Sequence, residues 1–329
     1  MNKRERLERT IVGEPTDRIP VSLWRHFPGD DQRAADLARS TIDFQRAYDW
    51  DFVKVTPASS FCLTDFGAQD EWEGSLEGTR VYSRRVIQRS LDWTSLRTLD
   101  PARGGLGRQI DCLRLIGEAF GEDTPIVQTI FSPLAQAKNL AGRETLLRHI
   151  RTAPDRVHSG LAILTETTLR FIDALRRLPL AGIFYAIQHA NYDVLSEDEY
   201  RQFGLPYDRK ILDTLPSRWW FNMAHLHGNA PMFKFAPEYK VQALNWHDRK
   251  CEPDLAIGKT LFEGAVCGGL GQWEHLHQGT PTTIREAARD AIQQTNGRRL
   301  ILSTGCVSLI TSPLSNLRAV REAVETTLP

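Results

Sequence analysis

About eight short runs rich in β-branched and aromatic residues recur along this chain, separated by longer stretches with helical periodicity. The runs span 18–24, 51–56, 125–131, 181–187, 219–225, 241–247, 261–266 and 299–303. Neighbouring strands that run parallel need a crossover of a dozen residues or more, and a helix commonly supplies it. The alternation therefore predicts an α/β chain built on a parallel sheet. Eight strands are the number that closes a (β/α)8 TIM barrel, and 329 residues suit one such domain spanning 1–329.

Apolar residues recur at three- and four-residue steps over 31–48, 143–150, 155–178, 196–215, 281–295 and 315–328, predicting helices. Ser196 and Ser315 stand where capping residues belong, and Pro154 and Pro281 sit near the first turns of helices, where a missing N–H costs nothing. Segment 65–107 differs. It is polar, carries Trp72 and Trp93, and alternates over 79–86, which predicts an inserted hairpin and loop after the second barrel strand.

Composition excludes several classes. Lys+Arg and Asp+Glu are both 41, so the chain has no net charge with which to grip nucleic acid or an anionic membrane. No apolar run approaches a membrane span, and residues 1–9 lack the apolar core of a signal peptide, so a cytoplasmic protein is expected. Five cysteines are dispersed without a CxxC, which argues against a disulfide framework and fits mostly small core residues.

A barrel carries its chemistry at the C-terminal ends of its strands. Read in order, those ends are Arg25-His26, Thr56, Ser132, Gln188-His189, His225-x-His227, His247-Asp248, Gly268-Gly269 and Gly305-Cys306. Five of the nine histidines fall there. His225 and His227 close an aromatic, apolar run and precede a Gly-Asn turn. Residues two apart in a strand share a face, so both imidazoles can aim at one spot. Imidazole is the commonest metal-binding side chain. The other reading is a pair satisfied by hydrogen bonds in a loop.

The motifs resemble those of the uroporphyrinogen decarboxylase superfamily nearly end to end. They are Lys3-Arg-Glu-Arg6 followed by Gly13-Glu-Pro-Thr-Asp-Arg-Ile-Pro-Val21, then Ser196-Glu-Asp-Glu-Tyr-Arg-Gln-Phe-Gly-Leu-Pro-Tyr207, and His225-Leu-His-Gly-Asn229. Thr304-Gly-Cys306 and Thr311-Ser-Pro-Leu-Ser-Asn-Leu317 complete the set. The resemblance implies the barrel fold and two possible chemistries. Decarboxylases of the haem pathway hold an acidic tetrapyrrole with arginines near the first strand, an aspartate after the second and a histidine after the last. Here Arg25 keeps the first arginine, but the next falls near Gly29, the aspartate position falls beside Pro57, and Cys306 stands at the late histidine.

The other branch comprises zinc-dependent methyltransferases that move a methyl group between a corrinoid protein and a thiol or related acceptor. Their His-x-Cys after the fifth strand and Cys after the last correspond to His225, His227 and Cys306, with His in the middle place. The resemblance thus implies a zinc ion on these three residues with an open fourth position, as catalytic zinc sites have. The harder donor set also admits iron or cobalt. Cys306 as a packing residue in a Gly-Cys turn remains the other reading.

His247 is a candidate fourth ligand or proton carrier, or half of a structural pair with Asp248. His189, with Gln188 and Asn191, is a candidate pocket residue that bonds substrate. Arg25 and His26 are candidates for binding an anionic group, Arg25 equally for a structural ion pair. Trp24, Phe131, Tyr192 and Trp246 are expected to line the pocket, or to be core. No corrinoid-binding domain is visible, so a corrinoid would arrive on a separate protein. A homodimer is expected by analogy. The alternatives are a decarboxylase acting on uroporphyrinogen or a smaller acid, and a non-catalytic barrel that binds a tetrapyrrole or corrinoid.

Overall fold

The structure, a computed structural model, describes residues 1–121 and 123–325. Among the described residues nine strands form: β1 (Val53–Val55), β2 (Gln69–Glu71), β3 (Val81–Arg84), β4 (Ile126–Phe131), β5 (Gly182–Ile187), β6 (Met223–Leu226), β7 (Ala243–Trp246), β8 (Ala265–Leu270) and β9 (Leu300–Thr304). Seven make one parallel sheet in the order β1-β4-β5-β6-β7-β8-β9, while β2 and β3 pair antiparallel. Every strand of the seven-stranded sheet is buried along its length, as a sheet covered on both faces requires, while β2 and β3 are largely exposed.

Residues 18–24 do not form a full strand. Val21 makes a single parallel bridge to Leu302 of β9, and its carbonyl accepts from Asp51 N at 2.9 Å, just before β1. The two outer strands of the sheet thus meet across this segment. A buried charge holds it there: Asp51 accepts from Val21 N at 2.7 Å, Arg6 at 2.7 Å and Arg18 at 2.6 Å. A fully buried carboxylate is tolerable only when its oxygens are satisfied in this way.

The helices follow the sequence with informative exceptions. Helix Pro281–Thr295 has the expected bounds and starts at a Thr280 capping box. The run 196–215 is two helices, Glu197–Phe203 and Leu205–Leu212, broken at Gly204 ahead of Pro206, with Ser196 forming the first capping box. The last helix is Leu314–Ala323, so Ser315 lies inside it, and positions 326–328 fall outside the described residues. The run 261–266 is corrected: Leu261 ends helix Leu255–Leu261, and β8 begins only at Ala265. A long helix, Gly104–Phe120, starts inside the segment expected to be loop. Among the described residues no helix is long and apolar enough to cross a membrane.

Candidate metal centre and substrate cleft

All seven sheet strands run the same way, so their C-terminal ends gather on one side. His225 of β6 lies beside Asn245 of β7 in register, which puts both side chains on one face. His227 follows β6 in a turn that depends on Gly228, whose φ is 111°. A Cβ there would collide with Asn191 Nδ2, and that amide donates to the His227 carbonyl at 3.3 Å. Gly305 does the equivalent job after β9. A Cβ would sit 2.6 Å from Trp246 O and 2.7 Å from the His247 Cα, so only glycine lets the end of β9 approach β7 closely enough to present Cys306.

The outcome is a cluster. One ligand atom each from His225, His227, His247 and Cys306 lie within 4.8 Å of one another. His225 Nε2 and His247 Nε2 each stand 3.4 Å from His227 Nδ1. That spacing is long for an N–H···N bond. Two imidazole nitrogens on a tetrahedral zinc, at Zn–N of about 2.0–2.1 Å, stand roughly 3.3 Å apart. Imidazole and thiol are also zinc's preferred donors. The residues present therefore fit a zinc ion.

Burial holds all three imidazoles neutral, the form that ligates. It pushes His227 down to about 4 and His247 to about 3, and His225 well below the usual histidine range. Burial pushes the Cys306 thiol up to about 11, with nearby Lys54 opposing the rise. His225 Nδ1 is 2.6 Å from Asn245 Oδ1, and its ring stacks on Phe184 at 5.4 Å.

Beside the cluster opens a cleft of about 740 Å³, open solvent at its mouth included, whose lining includes His225, His227 and Cys306. Its walls are largely apolar, from Trp24, Phe131 and Phe184. Gln188 and His26 also line it, and Gln188 Oε1 and His26 Nδ1 are buried with no partner. Burial pushes His26 down to about 3. The loop joining β2 to β3 contributes Glu77, Gly78 and Arg80.

Other expected site residues lie elsewhere. Tyr192 is half exposed outside the cleft lining, its hydroxyl bonded to Glu197 at 2.6 Å, which corrects its expected place in the pocket. Arg25 is also outside the lining. It donates to Ile310 O at 3.2 Å and sits over Phe27 and Phe44, so it neither faces the cleft nor closes an ion pair. His189 is buried behind the lining with Nδ1 unpartnered, near enough to His227 and Lys138 that their charge adds to burial in pushing it down to about 3. Trp246 is core, donating to Pro253 O at 2.7 Å. Asp248 accepts from Gly269 N at 3.0 Å and does not pair with His247.

Two cleft-side residues escaped the sequence reading. Asn245 looks like an ordinary polar interruption in β7, and Lys54 like one in β1. Lys54 is buried, and burial holds its ammonium down to about 7, with Cys306 opposing. The signal was there: a lone lysine between Val53 and Val55 in an otherwise apolar strand.

Comparison with known proteins gives the fold and the family. The chain is 21% identical over 343 positions to "Methylcobamide:CoM methyltransferase MtbA" of Methanosarcina acetivorans, covering 98% of this chain and 97% of that protein. It is 26% identical over 219 positions to "Methylated-thiol--coenzyme M methyltransferase" of Methanosarcina mazei, covering 62% of this chain and 54% of that one. A solved structure described as a methyltransferase from Methanosarcina mazei shares the fold, with a TM-score of 0.86 at 19% identity over 98% of both chains. The family model for uroporphyrinogen decarboxylase (URO-D) matches residues 2–327, and the chain belongs to that family.

Proposed function

We propose that this chain is a corrinoid-linked methyltransferase with a zinc centre on His225, His227 and Cys306, moving a methyl group between a corrinoid partner protein and a small thiol or related acceptor. The observation that carries the reading is the convergence of these three residues and His247 from the ends of three strands, beside an apolar cleft. The full-length likeness to a protein named as a methylcobamide:CoM methyltransferase supports it. We read the fold as a closed (β/α)8 barrel in one domain, with residues 20–22 as the short eighth stave and the β2–β3 pair as an insertion.

A zinc held there lowers the pKa of a bound thiol and favours its nucleophilic thiolate form. The chain's own residues do the rest. Asn245 orients His225, Asn191 and Gly228 fix the turn that carries His227, and Gly305 delivers Cys306. His247 is close enough to complete the donor set or to accept a proton at Nε2. The aromatic walls keep water from the reacting atoms. A decarboxylase acting on a tetrapyrrole with many carboxylates would need several free cations, and this cleft pairs Arg80 with Asp31 at 2.7 Å.

The test combines metal content with transfer. Purified protein is expected to hold about one zinc per chain, as a three-ligand site would, and to demethylate methylcobalamin in the presence of small thiols. His227→Ala and Cys306→Ser should lose both. A wild-type protein that stays metal-free after zinc reconstitution would sink the reading.

A further inference from the structure

Lys54 is a buried cation that the metal centre does not use. It lies on β1, only 7% exposed, and lines the cleft. Its Nζ has one polar partner, Thr56 Oγ1 at 3.2 Å, and sits 4.6 Å from the Phe184 ring centre and 5.9 Å from that of Trp24. Among the described residues no carboxylate pairs with it, and the only charge that favours its ammonium form is that of Cys306. Of the other charged groups of the cleft, Arg80 is paired, with Asp31 at 2.7 Å and Asp70 at 3.8 Å, while Glu77 accepts only from the neutral Gln272 amide at 3.2 Å.

A buried ammonium without a counter-charge is costly, and such perturbed groups cluster in clefts that bind ligands. The neighbouring walls say what else that ligand carries. Trp24, Phe131 and Phe184 are apolar and flat, and the cleft of about 740 Å³ has room for a ring beside them.

We propose that the cleft binds a small molecule with one anionic group, seated on Lys54, and an apolar, ring-sized body against Trp24, Phe131 and Phe184. The inference deepens the reading of this cleft as the methyl-transfer site, and rests on it for the reaction at the His/Cys cluster. In the metal-free protein, where Lys54 is the uncommitted cation of the cleft among the described residues, a monoanion is selected. A second charge on the ligand would be desolvated against aromatic walls with nothing to meet it.

Isothermal titration of the intact protein, metal-free and zinc-loaded, tests this with benzoate, benzamide, acetate and phthalate as probes. Benzoate should bind at least about tenfold more tightly than benzamide, as a charge-assisted bond implies, and more tightly than acetate or phthalate. In Lys54→Met, of similar length, the preference of benzoate over benzamide should vanish while melting temperature rises, because a lone buried charge has gone. Should that variant fail to fold, the four wild-type titrations decide alone. Equal binding of benzoate and benzamide, no binding of either at millimolar concentration, or acetate or phthalate binding as well as benzoate overturns the proposal. Zinc content of the same samples separates the two readings. Bound zinc without a benzoate preference removes the anion site and leaves the metal centre. A benzoate preference in protein that cannot hold zinc removes the metal centre and leaves the anion site.

Discussion

Asn245 Oδ1 stands 2.6 Å from His225 Nδ1, and the two residues are register partners on adjacent parallel strands. The orientation of the amide is settled by its other end, since Nδ2 donates to Cys267 O at 2.8 Å and to Thr304 O at 3.0 Å. An oxygen therefore faces the ring, and His225 must carry its proton on Nδ1. Nε2 is left with its lone pair toward His227 and Cys306. A neighbouring strand thus chooses the tautomer of a proposed metal ligand, a task that groups behind metal sites commonly perform.

Removing that acceptor should weaken the site without removing a ligand. Asn245→Ala is expected to lower zinc affinity by about 10–100-fold, read by competition with a chromophoric chelator. An unchanged affinity in a folded variant would mean that Asn245 does not orient His225.

Gly305→Ala tests the approach of β9 to β7. The added methyl meets Trp246 O and the His247 Cα, both backbone, at 2.6 and 2.7 Å, so the strands must part. A loss of about 1–3 kcal/mol is expected in urea unfolding, typical of overpacking, and zinc content should fall because Cys306 moves away from His247. Full zinc content in a destabilised variant would show that the turn tolerates the shift.

Lys54 makes stability depend on pH in a definite direction. Its folded value of about 7 lies below the ordinary 10.5, so the unfolded chain binds more protons between the two. The group's contribution is complete above the ordinary value and is lost as pH falls through about 7. In metal-free protein, the stability difference between wild type and Lys54→Met should therefore shrink as pH rises from 7 toward 10.5, followed by chemical unfolding at several pH values. A constant difference would mean that the ammonium is paired or solvated.

Behind β5, Asp208 accepts from Tyr185 at 2.7 Å and Tyr200 at 2.6 Å, and burial lifts its carboxyl to about 6. Its contribution to stability is complete below the ordinary 3.8 and is lost as pH rises through about 6. Tyr185→Phe takes away a bond that is strongest to the ionised form. Its cost, about 1–3 kcal/mol, should be larger at about pH 8 than at about pH 5, on either side of that carboxyl's value. An equal cost at both would place the ionisation of Asp208 outside this range.

Local sequence was enough for the alternation of strand and helix, the parallel sheet, and the placing of His225, His227 and Cys306 at strand ends, while their grouping as a ligand set came from the family resemblance. Period and propensity are properties of neighbouring residues, and the C-terminal ends of parallel strands always share one side. Local sequence failed where the deciding partner is remote. The start of helix Gly104–Phe120 is hidden by its glycines, and the acid that meets its first turn, Asp65, is 40 residues away. Arg25 stands near a strand end, yet the carbonyl of Ile310, 285 residues on, and the ring of Phe44 draw it off the cleft. Tyr192 is the exception, turned away by Glu197 only five residues along. Lys54 and Asn245 read as polar residues in apolar strands, and only the tertiary arrangement puts one in the cleft lining and, through strand register, the other beside His225. The sequence by itself determined the class of fold and where along it chemistry gathers. Tertiary structure decided which side chains meet, because the direction of a side chain is set by packing against residues far away in the chain.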